Sequence, residues 1–460
     1  MAAGITASKR SPLRTHQGSS GLVEPEGVLH SLIVMRGDLV DQAPRFDALD
    51  GIVLQSARCL RDGTCPGRIT LPPSGGCSEP ERPLRLAGLG LPSQFLAAGE
   101  RNGMTRPTYQ VTELLGDGIG AELSRAIHRL AEALPVSLEF RPVDLRLESR
   151  RANQKTIYDE AVEAVTASRV ALKYPTTTAE ESPNAILRRR LDLSVIHRPV
   201  YTIPGVPTNF RRELDLDIVR IATGGTYDDP GRMIGDDGAV SLRIVERRPV
   251  TEAARYAFNL ARKTGKRVTS SSKYTIQKAT DGLFERVTTE VARSFPEVPH
   301  TTELFDALLG KVIMAPERFQ IVLVLNEYGD FLSDMACGLA GSLGIGASAN
   351  LGFDPAAVVR VALFDAAHGT APDIAGKSLA NPTAIFLALS LLLYQIGEIT
   401  LGRTVKTATL DLLREGVRTR DLGGKESTES FTEAVAAEVE RRLTSAMDTR
   451  QIKESIADPR

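Results

Sequence analysis

No apolar run in this chain is long enough to cross a bilayer: the longest, AIFLALSLLLYQIG from Ala384, is bracketed by polar residues and reads as a buried helix. Cysteine is scarce. Cys59, Cys65 and Cys77 match no zinc-finger spacing and Cys337 stands alone, so the sequence suggests neither a disulfide framework nor a thiol catalyst. A reducing cytosol suits that usage. Net charge is nearly absent too, at −1 over 460 residues, which leaves no electrostatic ground for nucleic acid or a membrane surface as partner. No GxGxxG follows a predicted strand; the nearest approach, GDGIG after YQVTELL, reads as an ordinary strand-to-helix turn. Small polar substrates remain as the open class.

Composition changes near residue 104. Before it, Gly, Pro, Ser and Arg abound, Tyr is missing and no periodicity is sustained, so residues 1 to 103 are expected to be disordered or loosely folded. Three readings of that segment stand: a transit peptide, which would place the protein in the mitochondrial matrix, a tail with its own role, or translated upstream sequence with Met104 as the start. The last is preferred, because Met104 stands just ahead of the first strand. After it, strand-like and helix-like stretches alternate to about residue 448, an α/β pattern.

What is present in abundance is carboxylate chemistry around ELFDALLGKVIMAPERFQIVLVLNEYGDFLSD. Asp306, Asp330 and Asp334 offer hard oxygen ligands suited to Mg²⁺ or Mn²⁺ rather than zinc. If the segment after Gly329 is helical, residues 330 and 334 share a face, with Ser333 as a plausible helix start. A solvated helix face is the competing reading. Upstream, Ser182, Asn184, Arg188 and Arg198 fall in one helix-sized window, followed by Arg220 and Tyr227; guanidinium groups in such company can grip carboxylates bidentately.

Together with Lys273 in SSSKYTIQKATDG and with AAHGTAPDIAGKSLANP, these motifs make the chain resemble the metal-dependent β-decarboxylating dehydrogenases that act on isocitrate, isopropylmalate, homoisocitrate and tartrate. The resemblance spans residues 107 to 448, including the twenty-four-residue step from Asp306 to Asp330. It implies an α/β fold with a two-lobed open sheet that is not a Rossmann fold. Residues 107–203 and 341–448 would form the large cofactor lobe, and 204–340 the smaller metal and dimerisation lobe. It further implies a homodimer with shared active sites, in which Lys273 and Asp306 come from the neighbouring subunit.

The roles implied are Lys273 as base or proton relay, Tyr227 as general acid, and Asp306, Asp330 and Asp334 as ligands of Mg or Mn. Ser182, Asn184, Arg188, Arg198 and Arg220 would bind a hydroxy di- or tricarboxylate. Thr178, His368, Gly369, Thr370, Ala371, Asp373 and Asn381 would meet the cofactor; an aspartate at 373 accepts from ribose hydroxyls and repels a 2′-phosphate, favouring NAD. Ser182 and Asn184 ahead of Arg188 match the isocitrate-type pocket, since an isopropyl group would leave them unpaired. Ile221, Ala222, Thr275, Tyr174, Ala121 and the short loop from Thr178 to Ser182 depart from the family pattern and keep another 3-substituted malate open. A non-catalytic regulatory subunit is the alternative of another class.

Overall fold

The computed structural model describes residues 106 to 457. The readings of residues 1 to 103 lie outside the described residues. In chain order the elements are β1 (Thr108–Leu115), α1 (Gly120–Glu132), β2 (Ser137–Asp144), α2 (Leu147–Ser168), β3 (Val170–Lys173), α3 (Pro183–Arg190) and β4 (Val195–Tyr201). Next come β5 (Asp215–Ile221), a small hairpin of β6 (Arg232–Ile234) and β7 (Gly238–Val240), α4 (Arg247–Thr264), β8 (Val268–Ser272), α5 (Thr280–Ala292), β9 (His300–Leu304) and α6 (Phe305–Met314). The chain closes with β10 (Ile321–Val324), α7 (Asn326–Ala340), β11 (Ala347–Phe353), β12 (Val359–Ala366), α8 (Thr383–Gln395), α9 (Ile399–Glu415) and α10 (Thr428–Ala457).

Ten of these strands make one sheet in the order β2-β1-β3-β12-β11-β4-β5-β10-β8-β9. Both flanks are parallel, but β12, β11, β4 and β5 pair antiparallel through the middle. That central antiparallel block separates this architecture from an all-parallel dinucleotide-binding sheet. It also shows the chain path. Strands from residues 108–201 and 347–366 lie on one side of the β4–β5 pairing, and strands from 215–324 lie on the other.

Local sequence explains the layers. The four residues of β10, Ile-Val-Leu-Val, are all buried, as expected of a strand covered on both faces. In α1, Leu123, Ile127 and Leu130 recur at helical spacing and are fully buried with Ala126 beside them, while Arg125 and His128 face out. The long apolar run becomes α8, buried around most of its circumference, so it is the central core helix that its composition suggested. Among the described residues no helix is long and apolar enough to cross a membrane. Truncating a fully buried residue such as Leu389 or Phe386 to Ala would cost about 2–5 kcal/mol.

Two local expectations are corrected. Arg198 does not share a helix with Ser182, Asn184 and Arg188: α3 ends at Arg190, Asp192 takes a left-handed turn at φ 51°, and Arg198 lies on β4. Nor does Ser333 start a helix. Helix α7 begins at Asn326, directly after β10, and Ser333 sits buried in its middle. Gly329 is inside that helix because a Cβ there would lie 2.5 Å from the Arg220 Cβ, so its absence lets α7 pack onto β5.

Candidate active site

Asp330 is the hub of the site. Helix α7 points it at β4 and β5, where Oδ1 accepts from Arg198 Nη1 at 3.3 Å and from Arg220 Nη1, while Oδ2 accepts from the Tyr227 hydroxyl at 3.1 Å. Burial alone would raise this carboxyl, but Arg220 and Arg198 hold it below the usual carboxylate range. Asp334, one turn on, has the opposite fate: burial and the neighbouring Asp330 push it up in spite of Arg198. Two crowded carboxylates on one helix face are a donor pair that a divalent cation would relieve, and oxygen donors fit Mg²⁺ or Mn²⁺.

The third expected ligand is elsewhere. Asp306 opens α6 and its carboxylate meets Lys273 Nζ at 2.6 Å, with the Asp306 side chain 65% exposed. Among the described residues no cluster of three metal-ligating side chains forms within one chain. The structure thus sorts the expected residues into two groups, Asp330–Asp334–Tyr227 with the arginines, and Lys273–Asp306. Lys273 is fixed from below by its own N–H, which donates to the buried Asp281 at 2.7 Å.

The arginine cluster carries excess positive charge. Burial, reinforced by Arg198 and Arg188, pushes Arg220 down to about 9 despite its contact with Asp330. Arg188 is pushed down to about 10 by burial, with Asp365 opposing and Arg198 adding to the shift. Arg198 Nε is buried without a hydrogen-bond partner among the described residues. Buried guanidinium groups of this kind are suited to an anionic ligand. Tyr227, 45% exposed, lies with its ring 5.8 Å from the Arg220 guanidinium; burial and Asp330 push its hydroxyl up to about 12, so it keeps its proton at neutral pH.

At the other end of this group, Ser182 caps α3, its hydroxyl accepting from the Ala185 N–H at 3.3 Å, and Pro183 occupies the first helical turn. Asn184 is half-buried in that turn. Arg188 Nε donates to Asn350 Oδ1 at 3.1 Å, and Asn350 Nδ2 donates to Asp365 Oδ1 at 3.1 Å. Beneath them lies Lys173, fully enclosed, whose ammonium donates to the Tyr174 carbonyl at 3.0 Å and is pushed down to about 8 by burial, with Asp365 opposing. Sequence reasoning missed Lys173, Asn350 and Asn326; the last holds Arg220 through Nε and Nη2 at 3.0 and 2.8 Å. For Asn326 a signal existed, its place four residues before Asp330 in the run Asn-Glu-Tyr-Gly-Asp, which forms the start of α7.

The expected cofactor residues form a loop after β12. The Thr370 carbonyl accepts from the Ile119 N–H at 3.0 Å, joining this loop to the GDGIG turn. Gly118 has φ +57° and a Cβ there would sit 2.0 Å from the Thr370 carbonyl oxygen, which explains its identity. Ala371 itself is left-handed at φ 39°. His368 Nδ1 faces the Gly369 carbonyl at 3.0 Å, its Nε2 is a buried atom without a partner among the described residues, and burial lowers its pKa. Gly369 and the Asp373 carboxylate are exposed, as is Thr178 on the facing loop. Asn381 is more occupied: its Nδ2 donates to Asp421 at 2.9 Å and its Oδ1 accepts from the Thr383 N–H at 2.9 Å, anchoring the start of α8. An unpaired imidazole nitrogen and an exposed carboxylate suit a dinucleotide's adenosine end.

Comparison with known proteins agrees with this arrangement. The family model described as isocitrate/isopropylmalate dehydrogenase matches residues 110–435. The chain is 36% identical over 360 residues to the mitochondrial NAD isocitrate dehydrogenase subunit 2 of Saccharomyces cerevisiae, covering 76% of this chain and 95% of that protein. It is 35% identical over 342 residues to the 3-isopropylmalate dehydrogenase of Methanothermobacter thermautotrophicus, covering 73% and 99%. A crystal structure of the isocitrate dehydrogenase from Methylococcus capsulatus superposes with a TM-score of 0.68 at 33% identity, over 72% of this chain and 99% of that one.

Proposed function

Because the chain belongs to the isocitrate/isopropylmalate dehydrogenase family, we propose that it oxidatively decarboxylates a 2-hydroxy acid carrying a carboxylate on the adjacent carbon, using NAD and Mg²⁺ or Mn²⁺. Isocitrate, giving 2-oxoglutarate, is the substrate assigned. The observation that carries the reading is the convergence of Arg198, Arg220 and Tyr227 on Asp330, one turn from Asp334.

Arg188, Arg198 and Arg220 take the substrate carboxylates through paired N–H donors, satisfying the unpartnered Arg198 Nε. Ser182 and Asn184 receive the third carboxylate of a tricarboxylate. Asp330 and Asp334 would hold the cation together with Asp306 of a second copy. The cation would supply Lewis acidity toward the substrate hydroxyl, and the nicotinamide would supply a hydride acceptor. Lys273 of that second copy takes or relays the hydroxyl proton. After carbon dioxide leaves, Tyr227 protonates the carbon it vacated; a hydroxyl that stays protonated at neutral pH is equipped for that step. His368 to Ala371 and Asp373 hold the adenosine end, with Thr178 facing them, and Asn381 supports that loop.

A homodimer follows from the same reading, since Lys273 and Asp306 are paired with each other rather than with Asp330. Met233 and Ile234 of the β6–β7 hairpin and Phe331 of α7, which are 65%, 63% and 55% exposed, are the apolar residues the second copy would cover. Residues 107–203 with 341–448, and residues 204–340, would be the two lobes about the cleft. For location we propose the cytoplasm. The Saccharomyces cerevisiae relative is mitochondrial by name, which keeps the transit-segment reading in play.

The test is NADH formation by the purified full chain with Mg²⁺ or Mn²⁺ over isocitrate, isopropylmalate, homoisocitrate, tartrate and malate. Isocitrate is expected to give the highest kcat/KM. Preference for isopropylmalate would remove Ser182 and Asn184 from the pocket, and no turnover of any acid would overturn the reading.

A further inference from the structure

The largest fully buried charged side chain that the proposed chemistry does not use is Arg150, 2% exposed in the first turn of α2. Its guanidinium joins three segments of chain. Nε donates to the Leu145 carbonyl at 2.9 Å, between β2 and α2; Nη2 donates to the Thr177 carbonyl at 2.6 Å. The same Nη2 lies 3.7 Å from Asp117 Oδ2 in the GDGIG turn, and Nη1 lies 3.5 Å from Glu181 Oε1. Both acids are tied down in turn. Asp117 accepts from the N–H groups of Thr177 and Leu147 at 2.8 Å each, and Glu181 accepts from the Tyr158 hydroxyl at 2.6 Å.

Burying a guanidinium costs several kcal/mol unless its donors are matched, so an apolar side chain would fill this space with less penalty. What an apolar side chain cannot do is set the distance between these segments. A planar fork of N–H donors can, because the Leu145 and Thr177 carbonyls that it bonds must lie near its plane, with Asp117 and Glu181 at ion-pair distance around it. The loop it holds runs from Pro175 to Ser182. It carries Thr178 toward the cofactor, ends at the hydroxyl that caps α3, and is pinned at Pro175, Thr177 and Glu181, with residues 178 to 180 exposed between the pins.

We infer that Arg150 is a positioning residue, which sets the loop 175–182 against the cleft through Asp117 on the cofactor side and Glu181 on the substrate side. The inference rests on the proposed cleft for its kinetic consequences, but not for its effect on the loop itself. A lysine at 150 keeps the charge and loses the fork; Glu181→Gln loosens only the substrate-side anchor.

In the purified full chain, Arg150→Lys should raise KM for both NAD and the hydroxy acid about tenfold, with kcat within about threefold of the parent. Glu181→Gln should raise KM for the hydroxy acid alone. Hydrogen exchange of amides 176–182 should quicken in Arg150→Lys, that of Thr177, which donates to Asp117, most, while exchange in β10 and α8 stays slow. Parental kinetic constants beside a lower Tm would mean that Arg150 only fills the core and would overturn the proposal, as would a fall in kcat at unchanged KM. If the parent turns over none of the acids, the proposed function fails by itself. Loop exchange then decides: unchanged protection of amides 176–182 refutes the clamp, and faster exchange supports it.

Discussion

Replacing Asp330 by Asn keeps the shape of the side chain and removes the charge that faces Arg198, Arg220 and Tyr227. Breaking a buried ion pair by neutralising one partner costs about 3–5 kcal/mol when both are fully desolvated. Here Arg220 is 2% exposed but Asp330 is 34% exposed, so solvent screening reduces that to about 2 kcal/mol. The apo variant should therefore melt lower by roughly 3 °C for a domain of this size. The cation supplies the sharper signature. At a hundredfold excess over Kd, a ligand that binds only the folded state adds about 2.7 kcal/mol, so Mg²⁺ or Mn²⁺ should raise the parent's Tm and leave that of Asp330→Asn in place. Thermal melts of both proteins with and without the cation provide the assay. An equal metal-dependent rise in the variant, or parental turnover at saturating Mg²⁺, would refute the placement of the cation on α7.

Lys273→Met and Asp330→Asn should each be inactive alone, yet regain activity when unfolded, mixed and refolded, because mixed dimers contain one site with both native groups; no regain would place Lys273 and Asp330 in the same copy. Asp373→Lys should weaken NAD and improve NADP, read as the ratio of the two KM values; an unchanged ratio would move the ribose contact elsewhere. Asp217 is held well below the usual carboxylate range: burial alone would raise it, but His197 at 2.8 Å and Lys266 at 2.9 Å outweigh that effect. A depressed folded pKa gives stability that is present above the unfolded value of about 3.9 and lost as pH falls below it, so Asp217→Asn should flatten the acid limb of the stability–pH curve. An equally steep limb in the variant would assign it to other acids.

Reading the sequence succeeded where a local pattern determined the outcome. Alternation and apolar runs located β1, β10, β12 and α8, and Asp330 and Asp334 lie one turn apart on α7, as a helical segment after Gly329 requires. It failed at boundaries set by tertiary contact. Nothing near Ser333 announces that α7 starts seven residues earlier, because the helix follows β10 without a side-chain cap and is positioned by Gly329 packing on Arg220. Arg198 was grouped with Arg188 by proximity in sequence, whereas the turn at Asp192 sends it onto a strand, from which it meets Asp330. Lys173, Asn350 and Arg150 were invisible for a related reason: a lone Lys, Asn or Arg becomes informative only when burial shows that it has no access to water.

The most direct test of the account is the stoichiometry of the reaction in one cuvette, carbon dioxide released against NADH formed from isocitrate, before and after a chelator is added and Mg²⁺ restored. The account predicts one carbon dioxide per NADH, loss of both with the chelator, and return of both with the metal. NADH formed without carbon dioxide, or turnover that ignores the chelator, would contradict it.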